Sequence, residues 1–131
     1  MASSSTAPPT FAALTAAVSG GVSQAGQPGY APGQLLYNPR YSIQPQAIAH
    51  CRTAADVAAC VKFAAAGGAA LRLRNGGHSY GGWSSGPGLV ADLSALKTIT
   101  VDTGSMTAKV GAGALLADVY TQLAAKGVSI A

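Results

Sequence analysis

Residues 70–82, Ala-Leu-Arg-Leu-Arg-Asn-Gly-Gly-His-Ser-Tyr-Gly-Gly, carry a short alternating segment straight into a glycine-rich turn. In an extended chain Leu71 and Leu73 fall on one face and Arg72 and Arg74 on the other, which predicts a strand over Ala70–Arg74. Upstream, Ala47–Cys51 has the composition of a second strand. Between the two, Thr53 with Asp56 three residues later starts a helix in the manner of a capping box. Val57, Val61 and Ala64 follow at helical spacing, and Gly67-Gly68 stops the run. Strand, helix and strand in about thirty residues make a βαβ unit, whose crossover is expected to be right-handed.

Downstream, Leu89–Leu93 reads as a third buried strand ending near Asp92. Ile99 and Val101 alternate, Asp102–Ser105 turns, and Met106, Ala108 and Val110 alternate back, which is a hairpin. Leu115, Leu116, Val119 and Leu123 mark an amphipathic helix stopped at Gly127, and Val128–Ala131 opens another apolar strand. Toward the N-terminus, Thr10 caps a short helix with Phe11, Leu14 and Val18 on one face, closed by Gly20-Gly21. Met1–Pro9 reads as a polar tail, and Gly21–Pro45 as loop in which Tyr30, Tyr37 and Tyr41 act as pins. The expected class is α+β, α/β-like in its βαβ part, with mixed or antiparallel strands and a helix after it. Residues 1–29 are expected to be tail and short helix, and residues 30–131 one incomplete domain.

Composition narrows the function. Of 131 residues 49% are hydrophobic and 9% charged, too apolar for a disordered tail. The net charge of +4 comes from eight Lys and Arg scattered along the chain, only Arg72 and Arg74 lying close together. A nucleic-acid surface would gather such charge on one patch, whereas a small anion near these two arginines suits the distribution. Cys51 and Cys60 match no zinc or redox spacing and are read as buried thiols, a disulfide being the minor alternative. His50 and His78 alone, without a carboxylate cluster, are too few for zinc. Neither a clear signal peptide nor a membrane-length apolar run occurs, so the compartment stays open.

Nucleotide signatures are mostly absent. There is no Walker A loop, and Gly111-Ala-Gly113 is followed by Leu116 where a dinucleotide-binding turn needs its third glycine. Gly76-Gly77-His78-Ser79 offers another route, because glycines after a strand let successive N–H groups point into one concavity that holds an anion such as a diphosphate. By composition alone an ordinary exposed loop with a surface histidine fits as well, since short motifs recur by chance.

Ordered motifs separate these two readings. Tyr37-Asn-Pro-Arg-Tyr41, Pro45-Gln-Ala-Ile48, Asp56-Val57, Arg74-Asn-Gly-Gly-His-Ser-Tyr80, Gly88-Leu-Val-Ala-Asp-Leu93, Val110-Gly-Ala-Gly-Ala114 and Asp118-Val-Tyr120 together resemble the berberine-bridge-enzyme-like FAD-linked oxidases. These carry a vanillyl-alcohol-oxidase-type (PCMH-type) flavin domain, and the resemblance covers roughly Tyr30 to Ala131. It implies an FAD-dependent oxidoreductase of which this chain holds the FAD-binding portion. Arg74, Asn75, Gly76, Gly77 and Ser79 would contact the FAD diphosphate, His78 would bond covalently to the flavin 8α-methyl carbon, and Tyr80 and Gly82 would complete the cofactor run. Gly81, Gly113 and Asp92 would shape the pocket. The rings of Tyr80, Trp83 and Tyr120 are read as packing or loop-anchoring residues rather than flavin-stacking groups, His50 as structural, and Asp118 as exposed. A small-molecule substrate, a catalytic base and a second, cysteinyl flavin link would come from regions beyond Ala131. No nucleic-acid or membrane partner is expected. The competing expectation is a truncated piece that does not hold FAD stably.

Overall fold

The structure, a computed structural model, describes residues 7–130; the expectations for Met1–Thr6 and Ala131 lie outside the described residues. Its central strand is β4 (Leu89–Asp92), in which all four residues are buried. β2 (Ala47–His50) and β3 (Leu71–Arg74) both pair with it in parallel. The order is β1-β2-β4-β3, with β1 (Val22–Ser23) antiparallel to β2. The expected βαβ unit is therefore opened. β2 and β3 are joined through α3 (Ala54–Ala65), and β4 inserts between them. A strand as apolar as Leu-Val-Ala on both faces needs neighbours on both edges, as parallel strands do.

Alternation along β2 and β4 sends side chains to two faces. Ala47, Ala49, Cys51, Leu89, Ala91 and Leu93 join Leu14, Val18, Cys60 and Phe63 in the main core, under α1 (Phe11–Ala17) and α3. On the other face Ile48 and Val90 pack with Tyr30. Tyr30 opens α2 (Tyr30–Gln34), so the stretch 21–45 expected to be loop also holds β1 and this short helix. Pro32 and Gly33 argue against a helix locally. Pro32, however, lies in the first turn, where its missing N–H has no intrahelical partner to lose. At Gly33 a Cβ would come within 2.8 Å of Ile48 Cδ1, so the glycine lets the helix lie on the sheet.

The two covering helices are tied by one carboxylate. Thr53 Oγ1 accepts from the Asp56 N–H and Asp56 accepts from the Thr53 N–H, which is the expected capping box with aspartate in the glutamate position. Asp56 also takes the N–H of Arg52 (2.8 Å) and, from the end of α1, the N–H and hydroxyl of Ser19 (2.8 and 2.7 Å). These donors, the Ser19 N–H foremost, hold its pKa well below the usual carboxylate range although it is buried. Cys51 and Cys60 are buried free thiols, as expected, with sulfurs 3.8 Å apart. The contact with Cys60 and burial push the Cys51 thiol far up.

β5 (Ile99–Asp102) and β6 (Thr107–Val110) form the expected hairpin, a separate two-stranded sheet. Its turn runs one residue further than the sequence suggests. Met106 sits at φ 52° inside the turn and not in the strand, because Asp102 accepts from the N–H groups of Gly104 and Ser105 and from the Ser105 hydroxyl. α4 (Leu116–Ala124) buries Val119 and Leu123 and closes on Gly127 at φ 70°, the Val128 N–H reaching back to the Leu123 carbonyl. Leu115 and Leu116, expected on its buried side, are exposed, as is Leu73 on β3. All three lie at the open margin of the described residues: β3 has a partner on one side only, and Leu115 and Leu116 begin their helix. Val128–Ile130 is not a strand.

Candidate functional site

Register places His50, Asp92 and Arg74 side by side at the carboxyl ends of the three parallel strands. The loops after β2, β3 and β4 thus leave from one edge, the edge at which open α/β sheets bind ligands. The loop after β3 is the glycine-rich turn. Gly77 at φ 74° and Gly82 at φ 71° adopt backbone that side chains disfavour, while the other residues from Asn75 to Gly81 keep negative φ. Among the described residues, no protein acceptor meets the N–H groups of Gly76, Gly77, His78 or Ser79. Further along, the turn closes on itself. Gly82 N–H donates to the Ser79 carbonyl (3.2 Å), and Trp83 N–H to Ser79 Oγ (3.0 Å). A change in the sign of φ within a run of free N–H groups is how a backbone forms an anion cradle.

Arg74 supports this loop from beneath. Its Nη1 pairs with Asp92 Oδ2 at 3.3 Å, with both side chains largely buried, and its Nη2 donates to the Leu35 carbonyl at 2.9 Å. Asp92 Oδ1 in turn accepts the Ser94 N–H. Arg72 is directed elsewhere: its stem lies along Gly86 and its Nη1 donates to the adjacent Leu71 carbonyl. The two arginines read together in the sequence therefore do different things. Asn75 Nδ2 donates to the Ala114 carbonyl (3.2 Å), leaving its Oδ1 buried without a partner. Arg74 Nε and the hydroxyls of Ser84 and Ser85 are likewise buried and unpartnered. All four orphans belong to residues 74–85, an unusual concentration of buried polar atoms for one segment. The serines escaped notice in the sequence because Trp83-Ser-Ser-Gly86 reads only as loop.

His78 is exposed, its imidazole stacked on the Tyr37 ring with centroids 4.4 Å apart and planes 20° apart. The segment before β2 is stitched to the turn. Tyr37 N–H donates to the Gly77 carbonyl (3.0 Å), Asn38 Nδ2 to the Tyr80 carbonyl (3.2 Å), and the Tyr41 ring fills the space a Cβ would take on Gly82. Tyr30 is anchored separately, its hydroxyl donating to the Pro45 carbonyl at 2.6 Å. The three tyrosines pin the segment as expected. The Tyr80 side chain neither packs nor anchors the loop, being 91% exposed, and the mostly exposed Trp83 ring lies over Gly81. Asp118 and Tyr120 are both exposed. His50 is structural: Ser23 Oγ donates to the Pro28 carbonyl (2.6 Å), so it accepts from His50 Nε2 at 2.9 Å.

Gly111 and Gly113 also have a backbone role. Their N–H groups donate to the carbonyls of Thr98 and Leu96, and a Cβ on either would collide with the Leu96 or Leu93 carbonyl. Among the described residues no cluster of His, Cys, Asp or Glu could hold a metal ion, and no helix is long and apolar enough to cross a membrane.

Residues 45–131 match the family described as "FAD binding domain". The chain is 32% identical over 95 residues to (R)-6-hydroxynicotine oxidase of Paenarthrobacter nicotinovorans, covering 72% of this chain and 21% of that protein. It is 42% identical over 80 residues to berberine bridge enzyme-like 5 of Arabidopsis thaliana, covering 59% of this chain and 15% of the relative. Among solved structures, wild-type BBE-like 1 of Physcomitrella patens superposes with TM-score 0.82 at 30% identity, over 90% of this chain and 26% of that one. The chain thus spans about a quarter or less of the relatives it matches. With its turn at the carboxyl edge of a parallel sheet and its matching residues, the chain belongs to the FAD-linked oxidoreductases with a PCMH-type FAD-binding domain, the family of the berberine-bridge-enzyme-like oxidases.

Proposed function

We propose that the turn Arg74–Gly82 holds the diphosphate of FAD and that His78 is the point of covalent attachment, making this chain the cofactor-holding part of an FAD-dependent oxidase. The observation that carries this reading is the run of N–H groups from Gly76 to Ser79 with no acceptor among the described residues. A diphosphate presents oxygen acceptors to such a run without needing a free cation, which matters because the Arg74 charge is already offset by Asp92. Gly77 supplies the left-handed backbone that turns the run. Asn75, Ser79, Tyr80 and Gly82 are assigned to the same cofactor-binding run.

The exposed His78 imidazole has no hydrogen-bond partner among the described residues and is a competent nucleophile when neutral. FAD, when bound, supplies two-electron redox chemistry and an electrophilic ring methyl group. Substrate contacts and the catalytic base are assigned to regions outside this chain, and the substrate to the class of small oxidisable organic molecules.

The test is the visible flavin spectrum of purified protein before and after acid precipitation. Colour remaining in the precipitate, and lost from it in His78→Ala, is the expected result. Colour released by acid removes the covalent link. A colourless protein after incubation with FAD removes the binding role and favours the cofactor-free reading.

A further inference from the structure

Tyr37 is 74% exposed, so burial does not account for its position, yet its ring lies flat on the His78 imidazole. The segment bearing it is fastened to the glycine turn on both sides of that histidine. Before His78, the Leu35 carbonyl accepts from Arg74 and the Tyr37 N–H donates to Gly77. After it, Asn38 Nδ2 donates to the Tyr80 carbonyl and the Tyr41 ring occupies the open face of Gly82. A histidine ring torsion is broad and two-fold, and His78 has no hydrogen bond of its own among the described residues to fix it. The aromatic stack is what limits the plane of this ring.

We propose that Tyr37 is a positioning residue that sets the plane of the His78 imidazole for attachment to the flavin. The inference rests on the histidyl link proposed above. In that step an imidazole nitrogen forms a bond to the 8α carbon as one methyl C–H bond breaks. The electron pair of that C–H bond enters the flavin ring, which ends two-electron reduced, and the methyl and imidazole N–H protons balance it. Dioxygen then takes two electrons and two protons and leaves as hydrogen peroxide. Tyr37 exchanges nothing. Its effect is on the alignment of the attacking nitrogen, and misalignment of a reacting group by about 1 Å costs roughly a hundredfold in rate.

The experiment compares the unaltered full chain, as its gene encodes it, with Tyr37→Phe, Tyr37→Leu, Tyr37→Ala and His78→Ala, each produced free of flavin. After addition of FAD, total bound flavin and acid-precipitable flavin are followed with time. The His78 ring-proton shifts are recorded before addition. The expected result is near-normal attachment in Tyr37→Phe. In Tyr37→Leu and Tyr37→Ala, flavin binds but attaches about ten- to a hundredfold more slowly, and the His78 signals move downfield as the ring current of Tyr37 is lost. Attachment at the unaltered rate in Tyr37→Leu overturns the role of Tyr37 and leaves the histidyl link standing. Attachment as slow in Tyr37→Phe as in Tyr37→Leu also overturns it, because the hydroxyl and not the ring face would then matter. Acid-soluble flavin throughout, the unaltered chain behaving like His78→Ala, overturns the histidyl link itself. Should Tyr37→Ala fail to fold, the Phe and Leu variants and the proton shifts decide.

Discussion

Replacing Asp56 with Asn tests whether a single carboxylate joins the helices that cover one face of the sheet. The carboxylate accepts from the Ser19 N–H and hydroxyl and from the N–H groups of Arg52 and Thr53, at 2.7–2.9 Å. Asparagine keeps one oxygen but turns an amide NH2 toward groups that are themselves donors. At least one of the four bonds is lost, that of the Ser19 N–H when the remaining oxygen takes the Oδ2 position, and this buried donor is left facing another. Hydrogen bonds to a charged group contribute about 1.5–3 kcal/mol each and do not add fully. The expected loss is therefore about 2–4 kcal/mol, a large share of the roughly 5–15 kcal/mol that holds a domain folded. Urea unfolding followed by circular dichroism measures it. The pH dependence gives a second check. Because folding lowers the pKa of this group, its contribution is complete above the unfolded carboxylate value of about 3.9 and is lost as pH falls toward the lower folded value. The gap between the unaltered protein and Asp56→Asn should thus be constant near neutrality and shrink below about pH 4. A loss under about 1 kcal/mol at neutral pH, within the range of an ordinary N-cap, would refute the helix-joining role.

Three further outcomes follow from geometry. Gly77→Ala forces a side chain into φ 74° with its Cβ 3.1 Å from the Leu35 carbonyl, costing about 1–2 kcal/mol; flavin retained on gel filtration should fall more steeply than stability does. Arg74→Met leaves the Asp92 carboxylate without its ion pair and should cost about 3 kcal/mol by thermal unfolding. Adding Asp92→Asn to Arg74→Met should recover part of that loss, and no recovery would count against the pairing. Cys51 and Cys60, both without solvent exposure, should resist a thiol reagent in native protein and react together once urea unfolds the chain. Reaction under native conditions would contradict their burial.

Most of the elements were legible because each carries its own local signal. Thr53 and Asp56 announce α3, Gly127 ends α4, and the unbroken Leu-Val-Ala of β4 marks a buried strand. What escaped depends on partners distant in sequence. α2 is held by Ile48, a residue its own Pro-Gly composition does not foretell, and the insertion of β4 between β2 and β3 depends on which edges remain free. In the site, the turn from Arg74 to Gly82 stood out by its glycines and its family resemblance. The separate fates of Arg72 and Arg74 did not, since alternation puts them on one face and only the contacts with Asp92 and Leu35 distinguish them. Tyr37 could be read as a pin from its setting. Its pairing with His78, forty-one positions away, is a property of the folded chain.

The joint between the two sheets constrains how the chain can move. The segment after β6 is fixed to the turn after β4 by the Gly111 and Gly113 N–H groups, and to the start of the glycine-rich loop by Asn75 and the Ala114 carbonyl. A single attachment would allow a swivel, which the Gly113 N–H on the Leu96 carbonyl and the Asn75 amide on the Ala114 carbonyl together oppose. The hairpin and the glycine-rich turn should therefore shift together rather than independently. A bulky residue at Gly113 would collide with the Leu93 carbonyl and so disturb the glycine-rich turn from a distance, through the link between Ala114 and Asn75 rather than by contact with the turn.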